Sequence, residues 1–316
     1  MTDSPFNLVV SGRHVTADDV VSLELRDPSG SPLPVWLPGA HLDLELGDGL
    51  IRQYSLCGDP ADRDTYRIGV LWEAESRGGS HYVHEKLFPG AAVIARGLRN
   101  HFEFLEAERY LFIAGGIGIT PLLPMIAVAS SRKAQWRLVY CGRSRASMGF
   151  RADLDAYPAE NVTLYPRDET GRADMADVVA WWEPGTLVYC CGPERFLSAV
   201  EKACAAMPLE TLRVERFTPR EMTAPTLTGS FELVLARTGA TVAVPPNRSI
   251  LEVLLDHGVD VDYACEEGTC GSCETSVLAG KVDHRCSVLS AEERAAQDLM
   301  MVCVSRSAEE ILTLDI

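Results

Sequence analysis

The sequence lacks the features that direct chains into or across membranes. It has no basic-then-apolar segment at its N-terminus, and no apolar run approaches the roughly 20 residues that span a bilayer. Its ten cysteines do not stand in a short secreted chain, where they would indicate a disulfide scaffold. We therefore expect a soluble, cytoplasmic protein with no membrane partner.

Positive charge is also scarce. The chain has 29 lysine and arginine residues against 45 aspartates and glutamates, and its formal net charge is -16. Because a phosphate backbone would be repelled by such a surface, the composition argues against a nucleic-acid partner. Residues 224–316 contain 15 acidic and 6 basic side chains, a net of -9. This excess either steers a protein partner with a basic patch or forms a solvated acidic face.

The length of 316 residues predicts two or three domains. In residues 1–104, short runs of alternating apolar and polar residues predict an antiparallel β-barrel domain with one helix. Its clearest strands are expected at 20–26, 41–46 and 66–72, and its helix at 80–87. In residues 105–220, apolar strands alternate with helical segments, which predicts an α/β domain with a parallel sheet. Its strands are expected at 110–114, 136–140, 161–165 and 186–190, and its helices near 121–131, 146–156 and 194–206.

A polar stretch with threonine and proline predicts an interdomain linker at residues 221–229. The last domain, residues 230–316, is expected to combine strands at 231–236, 274–278 and 311–315 with a helix at 249–258. Ser249 and Glu252 stand three residues apart where that helix begins, which is the pattern of a capping box.

Four cysteines in the last domain have the spacing of a plant-type [2Fe-2S] site. Cys265, Cys270 and Cys273 form C-x4-C-x2-C, and Cys303 follows at a distance. The alternatives are a zinc site, which usually pairs two C-x2-C units, and a disulfide, which a cytosolic chain rarely keeps. Cys286 lies between the third and fourth cysteines and could replace Cys303 as a ligand.

Two segments of the barrel domain offer groups that could hold a flavin mononucleotide. One lies at the end of a strand and the other precedes the helix; their candidate residues are Arg52, Tyr54 and Ser55, and Arg77, Gly78, Gly79 and Ser80. A tyrosine can stack on a planar ring, and arginine, serine and glycine amides can bind a phosphate at a helix N-terminus. Each segment alone also fits an ordinary strand end or turn.

Turns that follow strands of the α/β domain offer groups to a dinucleotide. The candidates are Gly115, Gly116, Gly118, Thr120 and Pro121 after one strand, Arg143, Ser144 and Arg145 after a second, Asp168 after a third, and Cys191, Gly192 and Pro193 after a fourth. Small residues let a dinucleotide approach the backbone, and Thr120 is expected to cap a helix whose dipole faces a pyrophosphate. The glycines do not form the G-x-G-x-x-G fingerprint, and each turn also fits an ordinary βα connection.

Taken together and in this order, these motifs resemble the phthalate dioxygenase reductase family, and vanillate O-demethylase reductase subunits are similar. The resemblance covers essentially the whole chain. It implies an FMN-binding barrel, an NADH-binding α/β domain similar to that of ferredoxin–NADP reductases, and a plant-type [2Fe-2S] ferredoxin domain of the β-grasp type. Arg143 and Arg145 also suit a 2′-phosphate, so NADPH stays open as the less favoured nucleotide.

The resemblance also implies roles for single residues. Arg52, Tyr54 and Ser55 would hold the flavin ring and ribityl chain, and the segment 77–80 would hold its phosphate. Thr120 would lie near the flavin. Phe217, in the segment Glu215-Arg-Phe217, would cover the flavin face that the nicotinamide must reach.

The implied function is an electron-transfer reductase that passes electrons from NADH through FMN and the cluster to a protein acceptor. The implied acceptor is a Rieske-type non-haem iron oxygenase that demethylates or hydroxylates an aromatic compound, and a haem-thiolate monooxygenase is the alternative. Two other classes stay open. One is a regulatory module that binds a cluster or zinc without turnover, and the other is a flavin reductase or NADH oxidase that releases reduced flavin.

Overall fold

The structure, a computed structural model, describes residues 5–219 and 224–316. The chain forms two compact units, Met1–Glu215 and Arg216–Ile316. Part of the expected linker, residues 221–223, lies outside the described residues, and residues 224–230 form no helix or strand. Within the described ranges no helix is both long enough and apolar enough to cross a bilayer. The domain bounds stay a prediction.

The first unit begins with an antiparallel barrel. Its elements are β1 (Phe6–Ala17), β2 (Val20–Arg26), β3 (His41–Glu45), β4 (Ile51–Ser55), β5 (Tyr66–Leu71), α1 (Gly79–Lys86) and β6 (Ala92–Arg99). The sheet order is β4-β3-β6-β1-β2-β5. A bridge between Leu56 and Ile68 joins the two edges, so the sheet closes on an interior that includes Leu23, Leu42 and Tyr66. Closure removes exposed strand edges.

A parallel sheet completes the first unit. Its elements are β7 (Arg109–Gly115), α2 (Leu122–Ser131), β8 (Gln135–Gly142), α3 (Arg151–Leu154), β9 (Val162–Pro166), α4 (Arg167–Thr170), α5 (Met175–Val179), β10 (Thr186–Cys191), α6 (Glu194–Cys204) and β11 (Leu212–Glu215). The strand order is β11-β10-β7-β8-β9, and every pair is parallel. From β7 the chain adds β8 and β9 on one side of the sheet and then β10 and β11 on the other side. The strand order therefore reverses between β7 and β10. In sheets of this kind, ligands bind at such a switch point, beyond the carboxyl ends of the strands.

The expected helix at 146–156 is wrong in extent, because only Arg151–Leu154 is α-helical there and Arg145–Ser147 forms a 3-10 turn. Phe150 has a φ of +60°, in the left-handed region, and thereby ends any helix that approaches it from the N-terminal side. Its ring is buried, and the Arg67 guanidinium of the barrel lies 4.9 Å from its centre. Arg67 also bonds the Asp153 carboxylate. Packing between barrel and sheet therefore overrides the local helical pattern.

The second unit is an α+β domain built on a mixed sheet. Its elements are β12 (Phe231–Leu235), β13 (Ala240–Val244), α7 (Ile250–Asp256), β14 (Glu274–Ala279), β15 (Val282–Asp283), α8 (Ala291–Ala296), β16 (Leu299–Met301), β17 (Arg306–Ser307) and β18 (Ile311–Leu314). The sheet order is β13-β12-β18-β14-β16, with β12 and β18 parallel and the other pairs antiparallel. The capping box is confirmed, since the Glu252 amide donates to Ser249 Oγ at 3.1 Å and the Ser249 amide to Glu252 Oε2 at 2.7 Å. The expected fold class is confirmed for all three parts.

Candidate redox sites

The four spaced cysteines of the second unit converge. Cys265, Cys270 and Cys273 lie in the loop between α7 and β14, and Cys303 follows β16; all four are buried. The ladder between β14 and β16 brings Cys303 to this loop, because Glu274 pairs with Met301. The sulfur of Cys265 contacts those of Cys270 and Cys303, and the sulfur of Cys273 contacts that of Cys303.

Backbone amides of the loop point at the cysteine sulfurs. The amides of Glu267 and Thr269 donate to Cys265 Sγ at 3.3 and 3.4 Å, and the amide of Ser272 donates to Cys270 Sγ at 3.4 Å. The contact with Cys270, followed by the contact with Cys303, lowers the pKa of Cys265, and the Thr269 side chain and the Glu267 amide add to this effect. Such donors stabilise thiolates, the form that binds iron.

This donor set fits the chemistry of a [2Fe-2S] cluster, which is held by four thiolates on two irons. The described residues contain no group of three or more His, Cys, Asp or Glu side chains arranged for a single metal ion. Cys286 is buried beneath the loop, where a side chain at Gly268 would come within 3.1 Å of its Cβ. The sulfur that contacts Cys265 and Cys273 is that of Cys303. The arrangement supports Cys303 as the fourth ligand, and the ligand assignment stays a prediction.

The flavin candidates of the barrel meet at the start of α1. Gly78, which precedes the helix, has a φ of +92°, and a Cβ at Gly79 would lie 2.7 Å from Arg52 Cγ. Arg52 therefore crosses the first turn of the helix, and its Nη2 donates to the carbonyl of Arg77 at 3.2 Å. Among the described residues no side chain caps α1, and its first turn carries no acidic group. A phosphate fits this end, because the helix amides and the arginine favour negative charge.

Ser80 and Tyr54 are two further flavin candidates of the barrel. The Ser80 hydroxyl accepts a hydrogen bond from the Glu73 amide at 3.2 Å. Burial raises the pKa of Tyr54, so the phenol stays neutral. Tyr54 lies on β4 beside Leu42 of β3 and is only partly buried. The stacking of its ring on a flavin stays a prediction.

The nicotinamide candidates lie at the switch point of the parallel sheet. The turn after β7 and the turn after β10 are in direct backbone contact. A Cβ at Gly118 would lie 2.3 Å from the carbonyl oxygen of Cys191, and a Cβ at Gly192 would lie 3.0 Å from Gly115 Cα. Glycine is required there because the backbones of the two turns leave no room for a side chain. Gly116, with a φ of +56° and no atom within 4 Å of its Cβ position, leaves the edge of the turn open.

The sequence predicts that Thr120 caps the helix α2, and this prediction is wrong. Pro121 occupies the N-cap position of α2 and makes no side-chain capping bond. The Thr120 hydroxyl instead donates to the carbonyl of Ile117 at 3.0 Å, which closes the preceding 3-10 turn. Its methyl group faces the barrel, since a Cβ at Gly69 would lie 2.8 Å from Thr120 Cγ2. Thr120 is buried where barrel and sheet meet.

The candidates after β8 and β9 also lie at the carboxyl edge of the sheet. Arg143 and Asp168 are exposed, and the Asp168 amide donates to the Arg143 carbonyl at 3.2 Å. Ser144 Oγ accepts from the Ser147 amide at 3.3 Å and thereby caps a 3-10 turn. Arg145 binds the carboxylate of Glu169. This ion pair engages one of the two arginines that were expected to suit a 2′-phosphate.

Glu215 joins the barrel to the nicotinamide turns. The Ser55 hydroxyl, at the end of β4, donates to Glu215 Oε2 at 3.4 Å, and the Cys191 thiol lies 3.9 Å from the same oxygen. Removal from water raises the pKa of Glu215 to about 8, although the bonds from Ser55 and Cys191 act in the opposite direction. At neutral pH this carboxyl therefore holds a proton between a flavin candidate and a nicotinamide candidate.

Glu215 stands in the segment Glu215-Arg-Phe217, in which only the aromatic residue was expected to have a role. Glu215 pairs with Cys191 in the register of β11 and β10, and this neighbourhood depends on strand order, which the local pattern does not contain. The sequence feature that could have identified Glu215 is an acidic residue at the end of a parallel strand. Phe217 belongs to the second unit, and 41% of its surface is exposed. Its role at a flavin stays a prediction.

Comparison with known proteins identifies two domains by family. Residues 233–308 match the 2Fe-2S iron-sulfur cluster binding domain, and residues 112–202 match the oxidoreductase NAD-binding domain. The chain is 42% identical over 317 residues to the phenoxybenzoate dioxygenase subunit beta of Ectopseudomonas oleovorans, covering 100% of this chain and 98% of that protein. It is 36% identical over 319 residues to the phthalate dioxygenase reductase of Burkholderia cepacia, covering 99% and 98%.

Solved structures show the same relationship. A phthalate dioxygenase reductase, described as a modular structure for electron transfer from pyridine nucleotides to [2Fe-2S], superposes with a TM-score of 0.70 at 35% identity, covering 99% of this chain and 98% of that one. An intact type IV self-sufficient cytochrome P450 monooxygenase superposes with a TM-score of 0.93 at 44% identity. That match covers 100% of this chain, which spans only 42% of the length of the P450 protein.

The cofactors follow from these domains. The cluster domain indicates [2Fe-2S], the NAD-binding domain indicates NADH, and the phthalate dioxygenase reductase fold binds FMN. The thiolate loop and the open start of α1 fit the two bound groups. The chain therefore belongs to the phthalate dioxygenase reductase family, and it is an oxidoreductase of the NADH-dependent, flavin- and [2Fe-2S]-containing class that serves oxygenase systems.

Proposed function

We propose that the chain supplies single electrons to a Rieske-type non-haem iron oxygenase that demethylates or hydroxylates an aromatic compound. Relatives that align along nearly their full length are named as subunits of phenoxybenzoate, toluene-4-sulfonate and phthalate oxygenase systems. A cytoplasmic location is part of the proposal, because reduced thiols persist in that compartment.

The observation that carries this proposal is the contact of Ser55 and Cys191 with one carboxyl, that of Glu215. Ser55 ends a barrel strand that bears flavin candidates, and Cys191 ends a strand at the nicotinamide switch point. The two candidate sites are therefore adjacent within one unit, which hydride transfer between a nicotinamide and a flavin requires. When bound, a flavin converts a two-electron hydride donor into a source of single electrons for an iron–sulfur cluster.

The residues of the chain have separate tasks in this proposal. Arg52 and the first turn of α1, with Arg77, Gly78, Gly79 and Ser80, bind the FMN phosphate. Tyr54, Ser55 and Thr120 border the flavin ring, and Glu215 holds a proton on its carboxyl beside the Ser55 hydroxyl. The turns after β7 and β10 bind the nicotinamide half of NADH, and Arg143, Ser144 and Asp168 bind its adenosine half. The four cysteines of the second unit hold the cluster, and Phe217 covers the nicotinamide face of the flavin.

A haem-thiolate monooxygenase is the second candidate acceptor. One observation favours it, namely the TM-score of 0.93 with a self-sufficient P450 protein of which this chain matches only a part. A haem-thiolate enzyme needs the same one-electron supply as a Rieske oxygenase. The two acceptors are distinguished by mixing the NADH-reduced protein anaerobically with a purified enzyme of each kind. Faster reduction of the Rieske centre than of the haem supports the first proposal, and the reverse order supports the second.

The order of electron transfer is tested with Cys270→Ser. Loss of one cluster ligand should leave NADH-dependent reduction of ferricyanide, which accepts electrons from the flavin, within about twofold of the wild type. It should lower reduction of cytochrome c, which accepts from the cluster, by at least about tenfold, a loss equivalent to about 1.4 kcal/mol in activation free energy.

Cys286→Ser is the matched control, because it replaces a buried cysteine of the same unit that does not belong to the proposed ligand set. Both activities should survive in this variant. If Cys270→Ser lowered both activities in parallel, the proposed order of transfer would be wrong. If Cys286→Ser removed the cluster spectrum, the ligand assignment would be wrong.

A further inference from the structure

An ion pair links the loops after β8 and β9. Arg145 Nε donates to both carboxylate oxygens of Glu169, at 3.0 and 2.9 Å. Both side chains are 47% exposed, so the pair faces solvent at the edge of the sheet. The hydrogen bond between the Asp168 amide and the Arg143 carbonyl joins the same two loops. The geometry therefore aligns this guanidinium with a carboxylate of the neighbouring loop.

The pair lies along the edge where a dinucleotide binds. Gly142 at the end of β8 pairs with Pro166 at the end of β9, and Cys141 of β8 pairs with Gly115 of β7. The loops thus begin one and two strands away from the glycine turn. In dinucleotide-binding sheets, an acidic residue in this region binds the ribose 2′-hydroxyl of NAD, whereas an arginine accommodates the 2′-phosphate of NADP. This chain has both kinds of residue there, and its carboxylate engages its arginine.

We propose that Glu169 is a specificity-determining residue that makes the site prefer NADH to NADPH. The carboxylate holds the Arg145 guanidinium away from a 2′-phosphate, and its own charge repels one. NAD(H) carries a hydroxyl at this position and is affected by neither interaction. The inference rests on the proposed function, because it requires that the adenosine half of the nucleotide binds at this edge.

The size of the effect follows from charge. A 2′-phosphate carries nearly two negative charges at neutral pH, as phosphate monoesters do. A unit charge about 6 Å from such a group, at the dielectric constant of water, changes binding about tenfold. In the wild type the charges of Glu169 and Arg145 offset each other, so replacing Glu169 by Gln leaves the unit charge of Arg145 to attract the 2′-phosphate. Affinity for the phosphorylated nucleotide should therefore rise about tenfold, and Asp168, which keeps its charge, prevents a complete reversal of preference.

The test measures binding as well as turnover with the full-length, cofactor-loaded protein. Calorimetric titration of Glu169→Gln with NADP+ should give a Kd about tenfold lower than that of the wild type, whereas the Kd for NAD+ should change by less than about twofold. The KM for NADPH should fall in parallel, with kcat nearly unchanged, because the substitution acts on binding far from the hydride.

Two variants act as controls. Glu183→Gln removes the same charge from another Arg–Glu pair, in which Arg109 Nη1 lies 2.9 Å from Glu183 Oε2 at the start of β7, the opposite edge of the sheet. It should leave the ratio of the two Kd values unchanged. Adding Arg145→Gln to Glu169→Gln should abolish most of the gain for NADP+, because the released guanidinium is then absent.

Two results would overturn the inference. One is an unchanged Kd ratio in Glu169→Gln, and the other is a wild-type protein that already prefers NADP+. In both cases a wild-type protein that oxidises a reduced nicotinamide still satisfies the proposed function. A wild-type protein that binds neither NAD+ nor NADP+ would remove the proposed function and the inference with it.

Discussion

Gly118 is the position where the two nicotinamide turns are most closely packed. A methyl group there would lie 2.3 Å from the carbonyl oxygen of Cys191, 2.4 Å from its carbonyl carbon and 2.7 Å from the amide nitrogen of Gly192. All three are backbone atoms at the end of β10, so no side-chain rotation can relieve the contact. Ordinary contact begins at 3.4 Å, and the oxygen alone falls 1.1 Å short of it. Gly118→Ala must therefore push the two turns apart by about that distance.

This displacement should act on hydride transfer more than on folding. Overpacking of this kind costs about 1 to 3 kcal/mol of stability, whereas a shift of about 1 Å between reacting groups costs about 100-fold in rate. We expect the rate of flavin reduction by NADH, measured by anaerobic stopped flow, to fall about 100-fold. FMN content and the cluster spectrum should be retained, because the proposed FMN phosphate site lies at the start of α1 and the four spaced cysteines lie in the second unit.

Gly116→Ala separates the steric clash from backbone strain. It adds the same methyl group two residues earlier, at a φ of +56° with no atom within 4 Å. It therefore carries only the conformational cost, about 1 to 2 kcal/mol. Its rate of flavin reduction should fall much less than that of Gly118→Ala. Equal losses in the two variants, or a wild-type rate in Gly118→Ala, would refute the argument from backbone contact.

Two further predictions concern the flavin phosphate and Glu215. Gly79→Ala should lower FMN retention, because its Cβ would lie 2.7 Å from Arg52 Cγ and displace the guanidinium from α1; an unchanged flavin-to-protein ratio after gel filtration would contradict this. The carboxyl of Glu215 has an ordinary pKa of 4.5 and a pKa of about 8 in the folded protein. Between these two pH values the folded protein holds a proton that the unfolded chain releases. The contribution of Glu215 to the free energy of unfolding therefore falls as pH rises from 4.5 to about 8. Glu215→Gln should therefore flatten the decline of the unfolding temperature between pH 5 and pH 8, and parallel curves for variant and wild type would show that the carboxyl is not shifted.

Features that depend on near neighbours in the chain were predictable. The capping box of Ser249 and Glu252 forms as expected, because three residues of helix bring the two side chains together whatever surrounds them. The strands at 20–26 and 66–72 are found as Val20–Arg26 and Tyr66–Leu71, since short runs of apolar residues bounded by turn residues predict strands. The C-x4-C-x2-C loop also brings its own sulfurs together.

Local pattern was a weaker guide where distant segments meet. The helix expected at 146–156 shrinks to Arg151–Leu154, because Phe150 adopts a left-handed conformation that buries its ring against the barrel. Thr120 bonds backward to Ile117 and leaves the N-cap of α2 to Pro121. At Phe150 a contact with the barrel outweighs the preference of the segment, whereas at Thr120 a hydrogen bond within the preceding 3-10 turn does so.

By itself, the sequence determined the cofactor chemistry of this protein, because cysteine spacing, glycine turns and a helix start are properties of short segments. Tertiary structure decided which of these segments act together. Strand order places Glu215 beside Cys191 and Gly118 against the end of β10, and the packing of the barrel on the parallel sheet brings Ser55 to the same carboxyl. The neighbouring loops of β8 and β9 pair Arg145 with Glu169. Such pairings join residues far apart in the chain, and their energies appear only once the sheet has set its order and register.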